Sequence, residues 1–293
     1  MSRVPVAKTC KLYIGGKYPR SESGRTVPVL DPAGAVLAHA ARASRKDLRD
    51  AVEAAHKAQD AWAGATAYLR GQILHRIAEF MEARRDELVQ AIRSVEGSTA
   101  AAARREVDLS VDRVVSFAGW TDKISTLIGG QCAVAGPFYT MSVAEPIGVC
   151  AVVAPARPSL LGLVTTLMPT LAAGNTVVAL GSESNPLPAV VLGEILGVSD
   201  VPSGVVNLLT GGVGEIVPAM AGHRQIGAIG GIGLPAEVVA GACEAAAESL
   251  KRTRFVAVAS ERAGLEDHDR WTAPEAVANW TEMKSIWHPA SLD

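Results

Sequence analysis

EPIGVCAVVAPARPSLLGLVTTLMPTLAAGNTVVALGSESNPL, residues 145–187, holds one complete strand, helix and strand. Residues 148–154 form a continuous apolar run closed by Pro155. A run of that length suits a strand buried on both faces of a parallel sheet. Residues 160–173 follow with helical spacing, Gly174 stops the helix, and residues 175–180 make the next buried strand. Downstream the alternation continues: helix 188–196, strand 205–209, a Gly211-Gly212 turn into helix 215–221, glycine-laden strand 226–232, helix 237–250 and strand 255–259. Repeated strand and helix over more than a hundred residues predicts an α/β fold, an open parallel Rossmann-like sheet with helices on both faces.

Upstream, residues 11–14 alternate and turn at Gly15-Gly16, and residues 27–30 make a second short strand. Ser44 reads as a helix N-cap with Asp47 three residues on. Helical spacing then fills 68–81, 88–92 up to Gly97, and 100–118. After Gly129-Gly130 the character changes to a ribbon over 133–143, turning at Gly136-Pro137. Residues 261–269 are polar and read as a linker, 274–279 as a short helix and 280–287 as an alternating terminal strand.

The chain has 293 residues, net charge −2, 48% hydrophobic and 20% charged residues. A chain of this length buries roughly three quarters of its unfolded surface, so a full core is available. Such composition excludes a disordered chain. No eighteen-residue apolar run escapes a charge or a breaker, so no membrane span is expected. The balanced charge argues against nucleic acid as a partner. No signal peptide is visible, and the four cysteines (Cys10, Cys132, Cys150, Cys243) form no C-x-x-C pair. Reduced thiols in a cytoplasmic protein are expected. The six histidines lack ligand spacing, so no metal site is expected.

Parallel sheets of this kind bind nucleotides at the carboxyl ends of their strands. Gly227, Gly230, Gly231 and Gly233 cluster at one such end, open to two readings: a dinucleotide turn or close backbone packing. Leu234-Pro235 follows, offering neither a side-chain donor nor a proline N–H. No nucleophile stands out. Cys150 lies in an apolar strand, Cys243 in a helix and Cys132 in the ribbon, and no G-x-S-x-G turn occurs.

Several strings, in order, resemble the aldehyde dehydrogenase family: the stretch 145–187, VPSGVVNLLTGG at 201–212, YIGGKY at 13–18 with DPAG at 31–34, and Leu250-Lys251-Arg252. The likeness covers about residues 11–260. It implies a fold built for NAD or NADP, an oxidoreductase acting on aldehydes, and a small antiparallel oligomerisation arm. At the family's functional positions the sequence departs from the pattern. Where the family reads P-W-N-F-P, residues 155–159 read PARPS, so Arg157 replaces the asparagine that helps hold the oxyanion. Where it reads K-P-S-E around the ribose, Leu180 replaces the lysine and Glu183 keeps the glutamate. The pyrophosphate turn F-T-G-S-x-x-x-G becomes Gly231-Ile232-Gly233-Leu234, ending on Val238, and Val256 stands at the general-base glutamate. The cofactor-binding residues left by the resemblance are Glu183, Gly211 and Gly233; no catalytic residue is carried over.

No cysteine follows Cys243, and residues 279–287 are similar to the family's closing strand. The resemblance therefore implies a dinucleotide-binding-type domain in 1–128 and 145–264, an arm in 129–144 and 272–293, and no catalytic domain, as in the inactive second half of two-module aldehyde dehydrogenases. Three functions are consistent with it. One is a non-catalytic structural or regulatory subunit, associating through its arm with a full-length aldehyde dehydrogenase or as a homo-oligomer. The others are a residual nucleotide-binding sensor and a working oxidoreductase. The arm's open edge is expected beside Trp280, Ile286 and Trp287.

Overall fold

The computed structural model describes residues 6–258 and 264–290. Its first part comprises β1 (Lys8–Cys10), β2 (Thr26–Leu30), β3 (Val36–Ala41), α1 (Arg45–Gly64), α2 (Ala67–Ala83), α3 (Arg85–Glu96), α4 (Ala100–Trp120) and α5 (Ile124–Leu127). Then come β4 (Gly130–Cys132), β5 (Phe138–Pro146), β6 (Val149–Val153), α6 (Ser159–Ala172), β7 (Thr176–Leu180), α7 (Leu187–Leu196), β8 (Val206–Leu209) and α8 (Val213–Gly222). The last are β9 (Ala228–Ile232), α9 (Ala236–Ala247), β10 (Arg252–Val256), α10 (His268–Thr272), α11 (Pro274–Ala278) and β11 (Thr281–Pro289).

Five parallel strands run in the order β10-β9-β6-β7-β8, as the apolar runs predict. Every residue of β6, β7, β8 and β9 is buried. One face packs α1, α8 and α9 on Val149, Val153, Val178 and Leu209. The other packs α2, α4, α6 and α7 on Cys150, Val152 and Val177. Helix α6 lies between the sheet and that outer layer, so all of its residues are buried, which explains apolar side chains around its whole circumference. The predicted capping box starts α1: Ser44 Oγ accepts from the backbone N–H groups of Lys46 and Asp47, and Asp47 accepts from Ser44 N at 2.8 Å. Gly97 closes α3 at φ 65°, a left-handed position that costs glycine little.

Two small sheets flank the main one, ordered β1-β3-β2 and β11-β5-β4. The predicted hairpin at 11–16 is a pair of isolated bridges, Ile14 with Lys17 and Tyr13 with Leu208, so it ties the N-terminal segment to the sheet edge at β8. The ribbon is placed differently from the reading of 133–143: residues 133–137 form the turn, and β5 extends to Pro146. The last parallel strand lies at 252–256 rather than 255–259, and Ala259 lies outside the described residues. Charged Arg252 and Arg254 fit there because β10 is an edge strand. Their guanidiniums donate to the carbonyls of Thr281 and Asn279. Of the predicted linker, residues 261–263 lie outside the described residues, and the rest winds into α10 behind an Asp267 cap.

Trp280 corrects the reading of the arm's edge. It is 4% exposed, and its indole sits over Gly230 of β9, where a Cβ would lie 2.9 Å from Trp280 Cη2. The buried Asn175 amide donates to the carbonyls of Trp280 at 2.8 Å and Thr170 at 3.1 Å, and its oxygen accepts from Gly148 N. Residue 280 therefore belongs to the core, and the strand leaves the body only after it. Trp280→Ala should lower the unfolding free energy by about 3–5 kcal/mol, as expected for emptying a buried aromatic site. Urea denaturation of the full chain measures it, and a loss under ~1 kcal/mol would contradict this seating.

Candidate functional site at the carboxyl edge of the sheet

Open α/β sheets present their ligand crevice where the strand order reverses, outside the carboxyl ends. Here the chain steps outward from β6 to β7 and β8, then returns to β9 on the other side of β6. The reversal lies between the turns at 154–158 and 233–235. On the α6 side this place is filled. Leu161, Ile232 and Leu265 are at most 2% exposed and form a closed apolar cluster with Leu109, Val256, Val258 and Trp271.

Leu265 and Trp271 come from the short connection between β10 and β11, which is pinned at several points. Arg113 Nη2 donates to Leu265 O at 2.9 Å, Trp271 Nε1 to Gly264 O at 2.6 Å, and Trp120 Nε1 to Thr272 O at 2.8 Å. Arg105 pairs with Glu266 at 3.0 Å, and Ser116 Oγ lies 3.0 Å from His268 Nε2. Arg113 is fully buried, and desolvation lowers its pKa to about 10. Sequence reasoning missed this plug because 261–269 is polar on average. The one available signal was the apolar pair Leu265 and Trp271 flanking the Asp267 cap.

Of the three residues named from the sequence, the structure brings Glu183 and Gly211 together. Both line a cavity of about 440 Å³ beyond β7 and β8, with Arg157, Ser184, Arg42 and Val29 among its other walls. Gly233 is not among the residues lining it and lies at the end of β9, two strands from β7 in the sheet order. Glu183 Oε2 accepts from Val213 N at 3.0 Å, so its carboxylate caps the start of α8. Gly211 has φ 154°, and a Cβ there would lie 3.3 Å from Ala43 N. Arg157 is exposed and has no hydrogen-bond or ion-pair partner among the described residues.

Gly233 adopts φ 63° and donates to Val256 O at 2.9 Å. Leu234 leans back over the strand end: a Cβ on Gly231 would lie 2.9 Å from Leu234 Cδ1. Helix α9 begins behind Pro235 with no side-chain cap. Leu180 is fully buried against the α1 and α8 face, and Val256 faces the plug. The glycine cluster of β9 is explained by close packing: Gly230 admits Trp280, Gly227 admits Ile147 and Gly231 admits Leu234.

The thiols divide by burial. Cys10 and Cys150 are buried, and desolvation pushes both thiols up in pKa, Cys150 far above the ordinary range. Cys132 and Cys243 are exposed, and the contacts Cys132 makes are to Ser142 Oγ at 3.1 Å and Gly130 O. Among the described residues, no group of three or more His, Cys, Asp or Glu could hold a metal ion. Nor is any helix among them long and apolar enough to cross a membrane.

The model of the aldehyde dehydrogenase family matches residues 18–258. The chain belongs to the aldehyde dehydrogenase family. It is 35% identical over 226 residues to human retinal dehydrogenase 2, a match covering 75% of this chain and 43% of that enzyme. It thus spans less than half the length of the curated relatives it matches. Among solved structures it is similar to HpcC of Thermus thermophilus, with TM-score 0.81 and 30% identity over 85% of this chain and 48% of that one. It is also similar to betaine aldehyde dehydrogenase of Staphylococcus aureus, solved with NAD+, with TM-score 0.79 and 25% identity over 84% and 49%.

Two outcomes test this reading of the site. A thiol reagent at neutral pH should label Cys132 and Cys243 rapidly, leaving Cys10 and Cys150 until the chain unfolds; rapid labelling of Cys150 would contradict its burial. Glu183→Ala should cost about 0.5–2 kcal/mol of stability without any ligand present, as loss of a helix cap does. Glu183→Gln, which keeps an acceptor for Val213 N, should retain most of it in urea denaturation.

Proposed function

We propose that this member of the aldehyde dehydrogenase family does not oxidise aldehydes by itself and acts by associating with another chain through its arm. The family's reaction is NAD(P)-dependent aldehyde oxidation. The observation that carries the proposal is the filled crevice at the strand reversal. Only residues 257–280 separate β10 from β11, and their Leu265 and Trp271 occupy the place where a substrate and the reacting end of a cofactor would meet.

The side chains at the sheet edge do not fit NAD or NADP well. Leu234 offers no donor to a pyrophosphate, Pro235 has no N–H, and buried Leu180 offers nothing to a ribose. The Glu183 carboxylate is already engaged with α8. Two or three missing contacts at about 1–3 kcal/mol each weaken a dinucleotide complex several hundredfold or more. A covalent route needs a thiolate beside a base. Cys150 is buried with its thiol pKa raised, and Val256 provides no base.

In this reading, residues 1–128 and 145–264 keep the dinucleotide-binding-type unit as scaffold, and within 129–144 and 272–293 the arm is presented by β4, β5 and β11, with Val277 and Trp280 belonging to the core. The arm's partner is a full-length aldehyde dehydrogenase subunit or a second copy of the chain. Mixing the chain with NAD or NADP and a panel of aldehydes should give no absorbance at 340 nm above a heat-treated control. Calorimetry should detect no micromolar NAD binding. Reduced cofactor formed in a single turnover would overturn the proposal. Micromolar binding without turnover would favour a nucleotide sensor using the Glu183 and Gly211 cavity.

A further inference from the structure

Strand β11 pairs with β5 over nine residues, from Thr281 opposite Pro146 to Pro289 opposite Phe138. It is the outer strand of its sheet. Its main neighbours are β5 and the end of α11, and among the described residues no strand pairs with its other edge. The bonding phase follows from one contact: Ala290 N donates to Pro137 O at 2.7 Å. Antiparallel strands alternate bonded and non-bonded pairs. Residues 288, 286, 284 and 282 therefore bond inward to β5, and Trp287, Ser285 and Met283 direct their N–H and C=O groups outward.

Both ends of this open stretch are closed. Pro289 has no N–H, and Thr281 O already accepts from Arg252 Nη1 at 3.0 Å. Three residues remain as a bonding template, with exposed side chains around it: Trp287 is 59% exposed, Met283 48% and Ile286 39%. Such an edge invites another strand. The charges beside it are neutralised within the chain, Lys284 by Glu145 at 3.0 Å and Glu282 by Arg252 at 3.2 Å.

The strand is complementary to itself in one register. A two-fold axis through Ser285 sets Ser285 opposite Ser285, Met283 opposite Trp287 twice, Lys284 opposite Ile286 and Glu282 opposite His288. All three open residues are then used, the thioether–indole contact is favourable, and no like charges meet. Moving the axis to Lys284 sets two ammonium groups opposite each other. Moving it to Ile286 or Trp287 brings Pro289 opposite Met283 or Ser285 and forfeits bonds. Moving it to Met283 sets Trp287 opposite Asn279, whose carbonyl Arg254 already occupies.

We propose that two copies of this chain join β11 to β11, antiparallel about a two-fold axis at Ser285, forming a continuous six-stranded sheet across the dimer. This inference rests on the reading of the arm as the associating surface and selects its partner. The experiment uses the full chain carrying Cys132→Ser and Cys243→Ser, to remove exposed thiols. Sedimentation velocity should give a dimer. Adding Ser285→Cys and mild oxidation should cross-link most of the protein, because a bonded antiparallel pair holds its Cα atoms about 5.5 Å apart, within disulfide reach. Lys284→Cys should cross-link several-fold less. Ser285→Pro removes only an outward N–H and should weaken the dimer about tenfold or more.

A monomer with unchanged circular dichroism overturns the proposal. So does equal cross-linking of Lys284→Cys and Ser285→Cys, or assembly only upon addition of a full-length aldehyde dehydrogenase. None of these outcomes alters the cofactor and turnover measurements, so failure here is distinguishable from failure of the functional reading.

Discussion

The architecture depends on the seating of Trp280 over Gly230. The missing Cβ of one glycine lets an indole lie against β9, and the Asn175 amide fixes the tryptophan's carbonyl beside the end of α6. With that point anchored, residues 264–280 pack against α4 and α6. Val277 of α11 enters the same core, and β11 emerges at Thr281 aligned with β5. A larger residue at position 230 would also collide with Arg254 O, so the seat is defined from both sides.

The packing of that segment explains the state of the carboxyl edge. A parallel sheet leaves its strand ends and helix N-termini as a polar crevice, and buried polar groups there need partners. In this chain the partners are internal. Glu183 caps α8, a Glu106 oxygen accepts from the first N–H groups of α6, and Ser182 and Ser184 donate to Ala156 O. Leu265 supplies the apolar cover and, through its carbonyl, a partner for buried Arg113. The edge is therefore packed like a core, with Arg113 Nε and His268 Nδ1 left buried and without a hydrogen-bond partner among the described residues, and the open volume is displaced toward β7 and β8.

The arm shows the opposite balance. It is held to the body at Trp280 and Thr281, and its outer strand carries aromatic and sulfur side chains in water, with Phe138 edge-on to Trp287 at 5.7 Å between ring centroids. Exposed apolar groups beside unpaired backbone are costly in isolation and useful in association. The arm thus exposes apolar side chains beside an unpaired strand edge, while Leu265 and Trp271 cover the strand ends on the α6 side.

Much of the fold was legible in the sequence, because the signals were local. VCAVV and TVVAL read as doubly buried strands, Ser44 with Asp47 as a capping box, and Gly97 as a helix stop, each decided within a few residues. Arg157, Leu180, Leu234 and Val256, at the positions where the resemblance implied functional groups of the family, were likewise readable one by one. Only the tertiary structure decided what those positions do. That Glu183 caps a helix thirty residues on, that Leu265 fills the crevice above Ile232, and that Trp280 is core rather than edge all depend on contacts between distant segments. Local periodicity is blind to such contacts, because burial there is set by which faces meet rather than by neighbouring residues.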